Sequence, residues 1–251
     1  MGKKWKKSEK IWQVKINWNY IKAFLLLGAV FFLFAFAEKR NHARLLSDVN
    51  LHFTNSENLY LTEEAVNKLL IQNEVKVKSV GKETLDLNRV ETVLEAHEMV
   101  EKAEVFMTVD GKMGAAITQR KPLARVMGKN QFYLDRQGSK MPLSEYHSAR
   151  VPLLTGISEE HLQEVHPLVN YIANDGFLTK HVTGLHRLKN GKYEIYLRKL
   201  DFVVFLGAEE EFELKFKNFK AFYQKAMQDK KLDAYKKVDL QFGDQVVCTK
   251  K

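Results

Sequence analysis

One stretch near the N-terminus, residues 23–37 (AFLLLGAVFFLFAFA), carries no charged side chain over fifteen positions. Ile21 and the aliphatic stem of Lys22 extend it to seventeen positions, at the short end of the range for a bilayer-spanning helix, which is about 17 to 25 residues. Residues 1–22 hold seven lysines against one acid, Glu9. Because lysine-rich flanks stay in the cytoplasm, we predict a cytoplasmic tail over 1–22, a transmembrane helix over 23–37 and export of all the residues that follow.

The end of this apolar stretch also fits a second interpretation. Ala35-Phe36-Ala37 has the small-x-small form of a signal-peptide cleavage site. A basic region of 22 residues is longer than export needs, and the apolar core is bulky and aromatic, so both features favour an uncleaved anchor. Residues 38–48 (EKRNHARLLSD) are polar and basic without an apolar stripe, which predicts a juxtamembrane linker.

Charge and cysteine content restrict the function classes that this chain can serve. The tail supplies +6 of the formal net charge of +9, so the rest of the chain is nearly balanced. A nucleic-acid-binding face needs clustered Lys and Arg within a folded module, and this distribution argues against one. Cys248 is the single cysteine, which excludes an intrachain disulfide. Export without a disulfide framework fits a bacterial cell better than a eukaryotic secretory route.

Residues 49–121 show the order strand, helix, helix, strand, strand. Residues 49–53 alternate apolar and polar side chains with period two, which is typical of a half-buried strand. Thr62 and Asp86 precede apolar residues spaced three and four apart, so each is a candidate helix cap. Asp110-Gly111 then separates two further strands. This pattern predicts an α+β module with a three-stranded sheet covered by two helices.

Residues 122–247 show a different pattern, with short strand-like runs interrupted by two helices. The helices are predicted over 158–174 and 209–228. Residues 238–247 alternate as one terminal strand, which leaves 248–251 as a short tail. We therefore predict the α+β class: one N-terminal transmembrane helix, a β-α-α-β-β module and a mixed β domain with two helices.

The chain has few groupings that could carry chemistry. Two histidine pairs, His161 with His166 and His181 with His186, are five apart, a poor spacing for two ligands on one helix face. The sequence also has no GxSxG and no glycine-rich phosphate loop. We therefore predict no catalytic, metal or cofactor-binding residue. A peptidoglycan-cleaving glycosidase stays open as an alternative because it needs only two carboxylates. The available ones are Asp135, Glu145, Glu159, Glu160, Asp201 and Asp239.

The predicted terminal strand suggests a role in binding. A strand at a chain end often lies at a sheet edge, where its unpaired backbone groups can accept a strand of another chain. Phe242, Val246 and Val247 would then either anchor that strand or complete the core, because alternation fixes the faces of a strand but not its neighbours.

Several stretches resemble the FtsQ/DivIB family of bacterial cell division proteins in its Bacteroidetes-type form. They are LTEEAVNKLL, QRKPLARV, FYLDRQGSKMPLS, VPLLTG and VDLQFGDQVVCTK, and the second and third are the most specific. The resemblance implies a POTRA-like domain over 49–121 and the family's β domain over 122–247. His97-Glu98 departs from the family, in which Asn-Pro is common. In FYLDRQGSKMPLS, Asp135 is a turn-forming side chain ahead of Gly138, and the stretch is a joint between modules that begins where Pro122 stops the first sheet.

The resemblance also implies a function. It is that of a non-enzymatic divisome scaffold that links early and late division proteins in the bacterial inner membrane at the division site, with its C-terminal domains in the periplasm. The implied partners are the periplasmic parts of FtsB and FtsL, bound at the last strand and the nearby helix. By position, the contact residues would be Val238, Leu240, Phe242, Gln245, Val246 and Val247, with Phe219 and Tyr223 on the helix. A generic POTRA docking protein for secretion or outer-membrane assembly is the other alternative.

Overall fold

The structure is a computed structural model. It describes residues 18–42, 49–54, 60–72, 86–108, 112–243 and 245–251. Predictions about residues 1–17 and 43–48 and about the Asp110-Gly111 turn lie outside the described residues.

The N-terminal helix α1 (Trp18–His42) is longer than the predicted span over 23–37. Its segment Trp18–Lys39 is long and apolar enough to cross a membrane, and its large apolar side chains are exposed. The helix begins earlier than predicted because Trp18 and Tyr20 continue it, and such rings suit the interface between lipid and water. Residues 38–42, predicted as linker, belong to the same helix. An apolar N-terminal helix of this length indicates a membrane anchor.

The first folded module has the predicted order of strand, helix, helix, strand and strand. Its elements are β1 (Val49–Phe53), α2 (Glu63–Gln72), α3 (Leu87–Glu95), β2 (Val100–Met107) and β3 (Met113–Gln119). β3 lies in the centre of the sheet, parallel to β1 and antiparallel to β2. Within the described part of this module, both outer strands are therefore edges and only β3 is paired on both sides.

The apolar faces of α2 and α3 form the core of this module together with the sheet. The fully buried residues include Val66, Leu70, Val90, Leu94, Met113, Ala115 and Ile117. Both predicted caps are confirmed, because Thr62 Oγ1 accepts a hydrogen bond from the Ala65 amide and Asp86 Oδ1 accepts one from the Arg89 amide, each at 3.2 Å. Such caps satisfy amides that the first helical turn leaves unpaired.

Two carboxylates of α3 occupy the outer edge of β2. Glu91 Oε1 accepts a hydrogen bond from the Val105 amide at 2.7 Å, and Glu95 Oε1 accepts one from the Ala103 amide at 3.1 Å. Alternate amides of an edge strand point away from its neighbour, and here two of them already have partners. An incoming strand would have to displace both carboxylates, so this edge is protected against strand addition.

The second module contains a nine-stranded mixed sheet. Its strands are β4 (Pro122–Met127), β5 (Phe132–Asp135), β6 (Lys140–Met141), β7 (Leu153–Thr155), β8 (Val182–Arg187), β9 (Tyr193–Leu197), β10 (Val203–Gly207), β11 (Tyr235–Phe242) and β12 (Gln245–Lys250). The spatial order is β12-β11-β10-β9-β8-β7-β4-β5-β6. The pairs β4–β7, β7–β8 and β10–β11 are parallel, and the others are antiparallel.

Helices α4 (Leu162–Asn174) and α6 (Phe212–Gln228) bury their apolar stripes in the core of this module. They contact each other through Tyr171, whose ring stacks on that of Phe216 with centroids 5.7 Å apart. Both helices are shorter than predicted, because a 3₁₀ turn (Glu159–His161) precedes α4 and the left-handed backbone of Glu211 precedes α6. A further short helix, α5 (Leu178–His181), was not predicted.

Asp175 ties the end of α4 to α5 and α6. One carboxylate oxygen accepts hydrogen bonds from the amides of Phe177 and Leu178 at 3.0 and 2.9 Å, and the other binds Lys220 Nζ at 2.6 Å. Burial alone raises the pKa of Asp175, but the bond and charge of Lys220 together with the two amides outweigh burial and hold the pKa below its ordinary value. The ionised carboxylate therefore stabilises the fold.

A second polar network joins α4 to β8 and β9. Glu164 Oε1 accepts hydrogen bonds from Arg187 Nε at 3.1 Å and from the Tyr193 hydroxyl at 2.9 Å. Burial raises the pKa of Glu164, but the bonds from Arg187 and Tyr193 prevail and lower it. The pKa of nearby Glu209 is raised, mainly by burial and further by the negative charges of Glu164 and Glu210, although the positive charge of Arg187 opposes this. Ionisation of Glu209 therefore costs stability in the folded state.

The C-terminal segment differs most from the prediction. The single strand predicted over 238–247 is wrong, since β11 and β12 form an antiparallel hairpin that turns after Phe242. Gly243 has φ +59°, a left-handed conformation that glycine adopts without steric cost, so it ends β11. The tail predicted over 248–251 is also wrong up to Lys250, because those residues belong to β12.

The joint between the two modules is packed and hydrogen-bonded. A small apolar cluster spans it, formed by Tyr60, Met99, Tyr133 and Met141. Gln119 Oε1 accepts hydrogen bonds from the amides of Tyr60 and Leu61 at 2.8 and 3.0 Å, and Ser144 Oγ donates to the Tyr60 carbonyl at 2.7 Å. These bonds connect β3 and the segment after β6 to the same stretch of the first module.

Asp135 has the turn-forming role predicted for it. It is 1% exposed, and its Oδ1 accepts hydrogen bonds from the amides of Gln137 and Ser139 at 2.9 and 2.7 Å. Its Oδ2 pairs with Arg120 Nη1 at 2.7 Å, while Arg120 Nε donates to the Val100 carbonyl in β2 at 3.1 Å. Arg120 thus connects the turn of the second module to a strand of the first.

Candidate partner-binding edge at the C-terminal hairpin

β12 forms one edge of the nine-stranded sheet. On one side it pairs with β11, with Asp239 opposite Val247 and Val238 opposite Cys248. On its other side it has no strand neighbour among the described residues. About three of its six residues direct their backbone groups outward, since ladder bonds alternate along an antiparallel strand. Within the described part of the chain, no side chain bonds to these outward groups, in contrast to β2.

The side chains of β12 alternate between a packed face and an exposed face. Val246 and Cys248 are partly buried against the core, whereas Gln245, Val247 and Thr249 are exposed. Burial raises the pKa of the Cys248 thiol, so the thiol stays neutral near pH 7 and acts as a small apolar side chain. A strand added to this edge would therefore contact an exposed face with polar side chains at Gln245 and Thr249 and the apolar Val247 between them.

Helix α6 supports the hairpin from behind. Asn218 Nδ2 donates a hydrogen bond to the Gly243 carbonyl at 3.1 Å, which fixes the turn to the helix. The ring of Phe222 meets that of Tyr235 at the start of β11 in an edge-to-face contact, with centroids 5.4 Å apart. Such aromatic pairs add to the stabilisation that burial gives. The edge strand is thus held against a packed helix and is not an isolated ribbon.

Charged side chains hold the opposite face of the hairpin. Lys237 Nζ lies 4.0 Å from the centroid of the Phe205 ring in β10 and 2.8 Å from Asp239 Oδ2. Gln241 Nε2 donates a second hydrogen bond to the same oxygen at 3.2 Å. A cation over an aromatic face is attracted by the ring quadrupole, so this cluster joins β11 to β10. β11 therefore has a strand paired on each edge and side chains packed on both faces.

Four of the predicted contact residues do not lie on a free surface. Val238, Leu240 and Phe219 are fully buried in the core, so the prediction that they contact a partner is wrong. They face inward because β11 is an interior strand and because α6 turns that stripe towards the sheet. Tyr223 is half-buried, with its ring edge-to-face on Phe177 at 5.0 Å between centroids.

The other four predicted residues lie at the open edge or at its turn. Phe242 is 54% exposed and Val247 44% exposed, Gln245 is exposed and Val246 is half-buried. The sequence prediction missed residues 248–250, which complete the edge strand. Gly243 was the signal that could have revealed them, because a glycine inside an alternating run indicates a turn or bulge.

The histidine pairs considered as metal ligands do not converge. His161 Nδ1 bonds to Ser158 Oγ, and His166 Nε2 bonds to the Arg136 carbonyl. His181 and His186 bond to the Phe177 carbonyl and to a threonine hydroxyl, respectively. In the described residues, no three His, Cys, Asp or Glu side chains are placed to hold a metal ion.

The carboxylates that could serve glycoside cleavage do not line the cleft at the joint between the modules. This cleft has a volume of about 1250 Å³, and among the described residues its lining contains no Asp or Glu. Asp135 and Asp239 are buried and already bonded to neighbouring groups. A glycosidase needs two carboxylates on either side of the scissile bond, which this cleft does not supply.

Comparison with known families agrees with this architecture. Residues 121–249 match the family model described as FtsQ/DivIB, C-terminal related, which covers the nine-stranded domain and its terminal hairpin almost completely. The chain belongs to the FtsQ/DivIB family. Residues 47–118 match a POTRA-like domain, which is the first folded module. No curated protein matches the chain.

These two family matches confirm the resemblance found in the sequence and the general function that it implies. The protein is a division-related member of the FtsQ/DivIB family with a POTRA domain, and both matched families are known as non-enzymatic scaffold domains. The FtsQ/DivIB family acts at the division site, and α1 indicates a membrane anchor.

Proposed function

We propose that the protein is a non-enzymatic, membrane-anchored scaffold of the bacterial divisome. It binds the periplasmic parts of FtsB/FtsL-type single-pass coiled-coil proteins by strand addition along β12. The observation that supports this is the open edge of β12, with one side paired to β11 and the other side without a strand among the described residues. Strand addition draws affinity from backbone hydrogen bonds and selectivity from alternate side chains.

The proposed topology places α1 in the inner membrane. The lysine-rich residues 1–22 then stay in the cytoplasm, and the POTRA and β domains lie in the periplasm at the division site. A protein arranged in this way can link early and late division proteins, because its modules meet at a bonded joint and offer separate surfaces.

Two alternatives have less support. A POTRA docking protein in secretion or outer-membrane assembly could use an edge of the POTRA sheet. At the β2 edge, Glu91 and Glu95 already occupy outward amides, so among the described strands this alternative depends on the five-residue β1 edge. A peptidoglycan-cleaving glycosidase would need a cleft with paired carboxylates, and the cleft at the joint has no carboxylate among its described lining residues.

The substitution Val247→Glu tests the proposed edge. A charge on an edge strand opposes pairing with a further strand, so we expect binding of an FtsB/FtsL-type periplasmic segment to weaken about tenfold or more. Leu153→Glu is the matched control, because Leu153 has the same 44% exposure but lies in β7, which is paired on both sides. Biolayer interferometry with the full chain in detergent would measure both affinities.

Crosslinking in cells provides a second readout. A photoreactive amino acid at Phe242 should capture a small single-pass coiled-coil division protein, because this side chain is exposed at the turn into β12. Equal affinities for the Val247 and Leu153 variants would contradict strand addition, and capture of outer-membrane precursors would favour the secretion alternative.

A further inference from the structure

The cleft at the joint between the POTRA and β domains is unusual in its charge. Among the described residues, five cationic side chains line it and no Asp or Glu does. The five are Arg120, Lys121, Arg136, Arg150 and Arg198. Arg120 is neutralised by Asp135 at 2.7 Å, but the other four are exposed and make no ion pair with any described residue. Unpaired cations around a concave surface concentrate positive potential there.

The floor of the same cleft contains an unpaired donor. Gln119 lines the cleft and is 2% exposed. Its Oε1 is used by the amides of Tyr60 and Leu61, while its Nε2 has no hydrogen-bond partner among the described residues. A buried donor without a partner costs stability, and an acceptor that enters the cleft would relieve that cost.

The rest of the lining is apolar to a large extent. Leu123, Val151 and Pro152 also line the cleft, as does Tyr60, whose ring meets that of His147 edge-to-face with centroids 5.1 Å apart. The cleft volume of about 1250 Å³ exceeds the range of about 300 to 1,000 Å³ that small-molecule pockets occupy. Its size and its mixture of cationic and apolar groups suit an extended chain with side chains of both kinds.

We propose that this cleft binds an extended acidic peptide segment of a partner protein, independently of the β12 edge. Carboxylates of the segment would pair with the guanidinium groups of Arg136, Arg150 and Arg198, whose planar fork matches a carboxylate. A backbone carbonyl would accept from Gln119 Nε2, and apolar side chains would contact Leu123. The mixed lining favours such a peptide over a phosphate polymer, which would leave the apolar groups without contacts.

The test uses the full chain in neutral nanodiscs and a fluorescent peptide of alternating glutamate and leucine. Its matched peptide carries glutamine in place of glutamate. We expect the glutamate peptide to bind at least about tenfold more tightly, because charge-assisted hydrogen bonds are about twice as strong as neutral ones. The triple substitution Arg136→Gln, Arg150→Gln and Arg198→Gln should weaken binding of the glutamate peptide by a similar factor.

The control triple variant removes the same charge from exposed lysines outside the cleft: Lys129→Gln, Lys189→Gln and Lys217→Gln. We expect it to bind the glutamate peptide within about twofold of the unmodified chain, since distant surface charges are screened by salt. Equal weakening in both triple variants, or no preference for the glutamate peptide, would overturn the proposal. Binding of polyphosphate or of phosphatidylglycerol vesicles that depends on the cleft arginines, without binding of the peptide, would overturn it in favour of a phosphate ligand.

Discussion

Asp135 accepts three hydrogen bonds at the joint, and the substitution Asp135→Ala removes all of them at once. The amides of Gln137 and Ser139 then lose their acceptor in the turn, and the guanidinium of Arg120 loses its counter-charge. Arg120 also donates to the Val100 carbonyl of β2, so the loss reaches the contact between the two modules. We expect a large loss of stability without any loss of apolar packing.

The magnitude follows from the burial of these groups. Each lost turn bond costs about 1 kcal/mol in the free energy of unfolding. Removing one partner of a fully buried ion pair costs about 3 to 5 kcal/mol, and the Arg120 value falls below this because its side chain is 22% exposed and water can reach it. A total of about 3 to 4 kcal/mol lowers Tm by about 6 to 16 °C for a folded unit of this size.

Two further variants separate the contributions. Asp135→Asn keeps an oxygen for the two amides and removes only the charge, so we expect a loss of about 1 to 2 kcal/mol. Asp201→Ala is the control: Asp201 is 87% exposed, its bond to Lys251 is 3.3 Å long, and such a substitution changes stability by about 0.5 kcal/mol or less. Thermal unfolding of the full chain in detergent, followed by near-UV circular dichroism, would report on the buried Tyr133 at the joint.

Equal losses of Tm in Asp135→Ala and Asp201→Ala would contradict a stabilising role of Asp135 at the joint. An equal loss of stability in Asp135→Asn and Asp135→Ala would contradict the role of the turn bonds, because the turn amides would then contribute nothing. An unfolding transition that splits into two steps in the alanine variant would indicate that the bond to Arg120 couples the modules.

Three more predictions concern residues of the β domain. Phe219→Ala should cost about 3 to 5 kcal/mol in urea unfolding because it empties a buried site, whereas Phe242→Ala should cost about 0.5 kcal/mol or less. The folded pKa of Asp175 is lowered, so its stabilisation is present above its unfolded pKa of about 3.9 and is lost as pH falls through the folded value. The Asp175→Asn variant should therefore have a lower free energy of unfolding than the unmodified protein near pH 7, and this difference should shrink in acid. Glu209 has a raised pKa, so its contribution to the free energy of unfolding is fully present below about pH 4.3 and is lost as pH rises through the folded value. Free energies of unfolding measured against pH should therefore show that Glu209→Gln stabilises the protein near pH 7 and has no effect in acid.

Local signals in the sequence predicted the POTRA module well. The caps Thr62 and Asp86 act within three residues along the chain, and the apolar spacing of α3 lies within one helix, so no long-range information was needed. The same holds for the turn at Asp135, where the side chain bonds to amides two and four residues away.

The open edge at β12 could not be predicted from such local signals. Period-two alternation continues on both sides of Gly243, so the run resembles one strand unless the glycine is weighted as a turn. Alternation also does not reveal that β11 pairs in parallel with β10, which lies about thirty residues earlier in the chain. The family resemblance, which names Val238 and Leu240 as contact residues by position, carries no such information either, and the sheet buries both.

The described edge strands differ in how well they are protected against strand addition, and this difference supports β12 as the surface for a partner. β6 has only two residues, and two outward amides of β2 are bonded to carboxylates of α3, so these two edges resist strand addition. The remaining edge besides β12 among the described strands is β1, which has five residues and belongs to the POTRA sheet. β12 is longer and lacks such protection in the described structure, but polar side chains at its far end, Thr249 and Lys250, oppose an unspecific partner there. The exposed apolar side chains Phe242 and Val247 lie towards the hairpin turn, so an added strand gains most contact at that end.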